Sequence, residues 1–313
     1  MEENENKICV ILGPTATGKS KFSIWLAEKI DGEIISADSM QIYKNMDIAT
    51  DKISKENMHG IKHYMLDFLE IEKEFSVAEY ALMAKDALNE IKNKNKKPIL
   101  VGGTGLYIDA LLKGTNFRKS TFNLKLRQQL LEEFFLKGKE YMFEKLKKID
   151  SNYASKLHVN NSKRVLRALE ILISTKKNID ENLLKNNKNI KSLKSLKIGL
   201  NFKNREILYE KINSRVDFMI KKGLLNEAKT IFSKKVSKTA SQAIGYKEFG
   251  KYFSNEISLE EAILKLKQNS RNYAKRQITW FKRYNDIHWF FLDEEYMETV
   301  KRKILYLVKN FFS

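Results

Sequence analysis

Eight consecutive residues constrain this chain more than any other feature. Gly13, Pro14, Thr15, Ala16, Thr17, Gly18, Lys19 and Ser20 spell G-x-x-x-x-G-K-[ST]. A loop of this pattern curls so that successive backbone N–H groups face one anion. Glycine permits the curl, and a helix starting at the end of the loop adds its positive dipole end. The flanks suit that geometry. Residues 8–12 form a continuous apolar run, readable as a buried strand, and Phe22, Leu26 and Ile30 then recur four apart on one helix face. In such a loop Lys19 neutralises phosphate oxygens and Ser20 ligates Mg2+. The motif fixes the ligand as a phosphate or diphosphate and leaves the reaction open.

The remaining pattern extends the same architecture. Residues 34–35 read as a second strand, residues 78–91 as an amphipathic helix, and residues 99–101, opened by Pro98, as a third strand. From about residue 116 to 195 there is helical periodicity without a strand, ending in a polar tract over 185–197 that reads as a loop. A returning strand over 197–202 is followed by helices at 205–221, 224–233 and 259–284, a strand at 288–292 and a helix at 294–312. Strands alternating with helices predict an α/β fold, a P-loop NTPase-like parallel sheet core with a helical insert domain. Residues 1–115 and 197–313 form the core in this reading, and residues 116–196 the insert.

Charge separates the two ends of the chain. The net charge is +19, yet residues 1–115 hold 15 Lys/Arg against 18 Asp/Glu, while residues 116–313 hold 43 against 21. No arginine precedes Arg118. A basic region joined to a near-neutral one is the footprint of a polyanionic partner, although the chain's richness in Lys, Asn and Ile could also yield it as plain composition. No apolar run is long enough to span a bilayer, and the acidic, polar first residues do not form a secretory signal. The single cysteine, Cys9, excludes an internal disulfide and a zinc-ligand cluster and reads as a small core residue. The expected place is the cytoplasm, with no membrane partner.

In an open parallel sheet, ligands bind at the carboxyl ends of strands. Asp38 follows one strand there, and Gly102, Gly103, Thr104 and Gly105 follow another, so a carboxylate, a lysine and hydroxyls converge with the phosphate loop on one rim. Asp38 also fits a turn or helix cap, and the glycines an ordinary tight turn. No acid follows Val101, which argues against a switch or mechanical NTPase and leaves a small-molecule kinase possible in principle. His63 reads as a structural residue more than a base, and Trp280, Phe281 and Tyr284 as core.

Longer blocks resemble the tRNA dimethylallyltransferases (tRNA isopentenyltransferases) in their bacterial form. The phosphate loop is one. Others begin at Asp38, Met46, His63, Phe75, Val101, Lys163, Gln242 and Tyr273, in the family's order. The resemblance implies transfer of a dimethylallyl group from dimethylallyl diphosphate to N6 of the adenosine 3′ to the anticodon of tRNA, with Mg2+ as cofactor and a monomer as the working unit. It implies Asp38 as the base, Thr104 near the reacting oxygen and Arg215 on the diphosphate, with Arg205 a nearby competitor. It implies tRNA contacts, to the anticodon stem-loop, at Asp38, Ser39, Met40 and Gln41, at Lys125, at Lys163, Arg164, Val165, Leu166 and Arg167, and at Gln242, Ala243, Ile244, Gly245, Tyr246 and Lys247. Free adenine nucleotides are the alternative acceptor.

Overall fold

The computed structural model of the chain describes residues 6–113, 124–175 and 193–313. It divides into two compact units, Met1–Lys113 with Ser192–Ser313, and Gly114–Lys191. In the first unit six strands form one sheet: β1 (Lys7–Leu12), β2 (Gly32–Ser36), β3 (His63–Tyr64), β4 (Lys97–Gly102), β5 (Lys194–Asn201) and β6 (Ile287–Phe291). Their order is β3-β2-β4-β1-β5-β6 and every pairing is parallel.

The apolar run at β1 exists because both of its faces are covered. Ile8, Val10 and Leu12 join one core cluster, and Cys9 and Ile11 the other. The second face is packed by α1 (Lys19–Ile30), through Phe22, Ile24 and Leu26, and by α9 (Met297–Phe312), through Val300, Ile304 and Val308. The first carries α2 (Val77–Asn93), α3 (Gly105–Leu112), α6 (Arg205–Lys221), α7 (Leu224–Phe232) and α8 (Leu259–Phe281). Each buried leucine or isoleucine contributes about 1.5–3 kcal/mol to such a core. Burial pushes the Cys9 thiol up, so it is an inert core group.

Several boundaries differ from the sequence reading by a few residues, and two have a clear cause. α2 starts at Val77 because Ser76 and Glu79 form a capping box, Glu79 N donating to Ser76 Oγ at 3.2 Å and Ser76 N to Glu79 Oε2 at 2.8 Å. β5 begins at Lys194, ahead of the expected 197, because it pairs with β1 from Lys7 onward. β3 has no counterpart in the sequence reading. The polar tract falls mostly outside the described residues. Trp280, Phe281 and Tyr284 pack against the first core cluster as expected, Phe281 fully buried. Among the described residues no helix is long and apolar enough to cross a membrane.

In the second unit α4 (Leu124–Ile149) is interrupted at Gly138, whose φ of 80° and ψ of 178° are non-helical. α4 and α5 (Ser162–Thr175) share a core of Leu130, Met142, Leu146, Val165, Leu169 and Leu172.

Candidate active site

β4 lies between β1 and β2, so the turn after β4 stands between the phosphate loop and Asp38. Chain geometry fixes all three loops. Gly13 has φ 149° and backs onto the Leu200 carbonyl so closely that any Cβ would collide with it. Gly18, φ 75°, opens α1 without a side-chain cap, which leaves the first amides of the helix to a ligand. Thr17 Oγ1 donates to Pro14 O at 2.9 Å, and Lys19 Nζ donates to the same carbonyl at 2.6 Å. Burial, then the charge of Arg215, lowers the Lys19 pKa to about 8, while Asp38 and Asp51 oppose the shift. Lys19 is therefore mainly an ammonium at neutral pH. Ser20 is exposed in the first turn of α1.

Asp38 Oδ1 accepts from Met40 N at 2.8 Å and Gln41 N at 3.3 Å. The turn-capping role suggested by sequence is thus real, and it occupies one oxygen only. Thr104 stitches this loop to the next turn, since its Oγ1 accepts from Ser39 N at 3.1 Å and its N–H donates to Ala37 O at 3.0 Å. Gly102 is required because a Cβ there would strike Ala37.

Arg215 projects from α6 onto the phosphate loop. Its Nη1 donates to Thr15 Oγ1, and its Nε lies 3.1 Å from Asp51 Oδ2. Arg205, the competitor, is exposed at the start of the same helix.

Thr15, Asp38 and Arg215 open on one cavity of about 210 Å3. Ser39 and Met40 line it beside Asp38, and Gln242, Ala243, Ile244, Gly245 and Lys247 form a further wall. Tyr246 is 2% exposed and turned into the core, and Gln41, half-buried, donates its amide to Thr50 O at 3.0 Å. In the second unit Val165, 1% exposed, is likewise core, and Leu166 is half-buried. Lys125, Lys163, Arg164 and Arg167 are exposed, and Arg167 Nη1 also donates to Glu170 Oε2 at 2.9 Å. His63 Nδ1 sits 2.9 Å from Ile61 O and burial lowers its pKa, which fits a neutral structural role.

α8 supplies residues to which the sequence reading gave no role. Leu266, Ser270 and Tyr273 line the cavity at helical spacing, and Gln277 continues the stripe to the phosphate loop. Burial, with the charge of Asp38 behind it, pushes the Tyr273 phenol up to about 12, so it stays a donor. Gln277, 5% exposed, accepts from Thr15 N at 2.9 Å and donates to Gly103 O at 3.1 Å. One amide therefore sets the spacing between the phosphate loop and the Thr104 turn. Gln277→Leu is expected to strand both backbone groups, costing about 1–3 kcal/mol of stability and roughly tenfold in kcat/KM. Urea melts and steady-state rates check this, and an unchanged kcat/KM would deny the clamp.

No group of three or more His, Cys, Asp or Glu that could hold a metal occurs among the described residues. Mg2+ suits this rim nevertheless, because it is held by one or two protein oxygens plus substrate phosphates rather than by an all-protein cage. The Ser20 hydroxyl is exposed, and Asp38 and Asp51 lie close enough to act on Lys19.

The sequence model of the family described as IPP transferase matches residues 41–284. The tRNA dimethylallyltransferase of Thermoanaerobacter sp. (strain X514) is 46% identical over 306 residues, 96% of this chain and 97% of that protein. The full-length tRNA isopentenylpyrophosphate transferase of Bacillus halodurans shares the fold with a TM-score of 0.73 at 38% identity, covering 98% of this chain and 97% of that one. A eukaryotic dimethylallyltransferase acting on tRNA gives a TM-score of 0.81 at 30% identity, covering 96% of this chain and 78% of that one. Matches of this length and identity place the chain in the IPP transferase family, among the tRNA dimethylallyltransferases.

Proposed function

We propose that this protein transfers the dimethylallyl group of dimethylallyl diphosphate to N6 of the adenosine 3′-adjacent to the anticodon in tRNA, releasing diphosphate. The observation that carries this reading is that Asp38 and the phosphate-loop residue Thr15 line the same cavity. The loop amides, Lys19 and Arg215 hold the diphosphate. Ser20 is the hydroxyl that would hold Mg2+, whose chemistry there is neutralisation of leaving-group charge. The adenosine must leave its stack to enter the cavity. Its N6 lone pair is delocalised into the purine, so the amine is a weak nucleophile. Asp38 takes the N6 proton as the N6–C1 bond forms and the C1–O bond to diphosphate breaks. Thr104 stands between the two and donates toward the departing oxygen.

A small-molecule kinase would share the phosphate loop. Glycines and Thr104 follow β4 where an acid is wanted, and the basic region would have no role. A tRNA substrate is consistent with a cytoplasmic enzyme. The test is incubation with labelled dimethylallyl diphosphate and either tRNA, AMP or no acceptor. Label in tRNA alone is expected, and preferential labelling of AMP would defeat the reading.

The second unit supports a role in gripping the RNA through phosphates. Lys163, Arg164 and Arg167 are all exposed on this block, and Arg167 and Arg127 also pair with Glu170, at 2.9 and 3.5 Å. The double substitution Lys163→Ala and Arg164→Ala is expected to lower tRNA affinity. It should flatten the slope of log affinity against log salt by about 0.7–0.9 for each phosphate no longer neutralised. Donor affinity should not change. Titrations at several salt concentrations decide it, and identical slopes would make this face merely solvated.

A further inference from the structure

Glu227, in the first turn of α7, has no part in the chemistry above, yet its carboxylate gathers four donors, three of them backbone amides. Its Oε2 accepts from Asp47 N at 3.0 Å and Ile48 N at 2.8 Å. Its Oε1 accepts from Ile48 N at 3.0 Å, Ala49 N at 3.1 Å and the Tyr246 hydroxyl at 2.7 Å. Three successive backbone amides converging on one anion form a nest. An acid near a helix N-terminus is common as a partner of the helix dipole. Such a role would not require donors from two segments about 180 residues away and 19 residues onward in sequence.

Both segments end at the cavity. The amides belong to the loop that supplies Ala49 and Thr50 to its wall and Asp51 to Arg215. Tyr246 sits inside the run Gln242–Lys247, whose other members line the same cavity. The two segments touch where Gly245, φ 104°, lies against Ala49, and a Cβ on Gly245 would come within 2.6 Å of the Ala49 Cβ. A contact so close tolerates little slippage, and the hydrogen bonds of Glu227 are what hold its two sides in register.

We infer that Glu227 is a positioning residue for the acceptor side of the cavity: it sets the wall made by Ala49, Thr50 and residues 243–247, against which the flipped adenosine is received. This rests on the proposed tRNA-modifying function. It concerns the acceptor before the donor, because Glu227 bonds directly to residues 47–49 and Tyr246, to no phosphate-loop residue, and reaches the donor side only through Asp51 and Arg215.

The test uses Glu227→Gln and Tyr246→Phe in the full-length protein. Single-turnover rates are measured against tRNA concentration, with dimethylallyl diphosphate affinity titrated separately and thermal melting recorded. A glutamine replaces one acceptor oxygen by an NH2 that faces an amide N–H. Glu227→Gln is therefore expected to raise the half-saturating tRNA concentration by roughly tenfold or more, with donor affinity changed far less. Tyr246→Phe removes one hydroxyl and should act in the same direction, by roughly threefold. The double variant should fall short of the product of the two effects, because both groups serve one latch. Unchanged tRNA saturation in folded variants overturns the inference. So does a loss of donor and tRNA affinity in equal measure with a lower melting temperature, which is what a merely structural carboxylate would give. If Glu227→Gln does not fold, Tyr246→Phe decides alone: raised tRNA half-saturation supports the latch, and its absence removes it. A wild-type protein that modifies no tRNA would instead refute the function on which the inference rests.

Discussion

Asp38→Asn is expected to slow the chemical step by roughly 10²–10⁴-fold, the usual share of general-base catalysis, with the fold intact. Asparagine keeps a carbonyl oxygen, so the bonds from Met40 N and Gln41 N that shape the loop survive. The replaced atom is Oδ2, which has no hydrogen-bond partner among the described residues and is the one available to the N6 proton. The amide nitrogen that takes its place cannot accept that proton. Single-turnover rates at saturating tRNA separate chemistry from binding. A near-normal rate would remove Asp38 from the base role and leave it as a turn cap.

Lys19→Ala is expected to lower kcat/KM for the donor by roughly 10²–10³-fold, the scale of losing one preorganised donor at a developing charge. The loop itself should persist, because Thr17 Oγ1 still donates to Pro14 O at 2.9 Å and Gln277 still holds Thr15 N at 2.9 Å. The lost group is an ammonium whose neighbouring charges are Arg215, Asp38 and Asp51, and in the proposed function its charge acts on the diphosphate and not on RNA. Parallel titrations of dimethylallyl diphosphate and tRNA give the answer. Loss of tRNA affinity with donor affinity intact would contradict the assignment.

The features legible in the sequence are those with a local cause. The phosphate loop is one continuous motif, and β1 and β4 are apolar because both of their faces are buried. Asp38 and Thr104 can be placed on a common rim because parallel strands carry their loops at one end. β3 is hidden because His63–Tyr64 is too short to show a period. The start of β5 is masked by Lys194 and Ser195, polar residues that continue the preceding tract and pair with β1 all the same. Gln277, Asp51 and Glu227 are beyond local reading for a different reason. Each acts on a partner far along the chain, Gln277 on Thr15 at a separation of 262 residues. Only the stripe of Leu266, Ser270, Tyr273 and Gln277 on one face of α8 offers a signal, and polar members of a helix face look solvated until the opposing loops are known. Charge counts likewise cannot show that Arg167 is paired with Glu170.

The central claim is that the phosphate loop presents a prenyl diphosphate, not ATP, to a base that serves one adenosine of tRNA. The most direct measurement is nucleoside mass spectrometry of tRNA treated with the enzyme, dimethylallyl diphosphate, Mg2+ and ATP, with released diphosphate and ADP quantified in the same reaction. The expected result is a dimethylallyl group on the adenosine 3′ to the anticodon, one diphosphate released per modified adenosine, and no ADP. ADP formed in step with turnover, or tRNA left unmodified while AMP is alkylated, would contradict it.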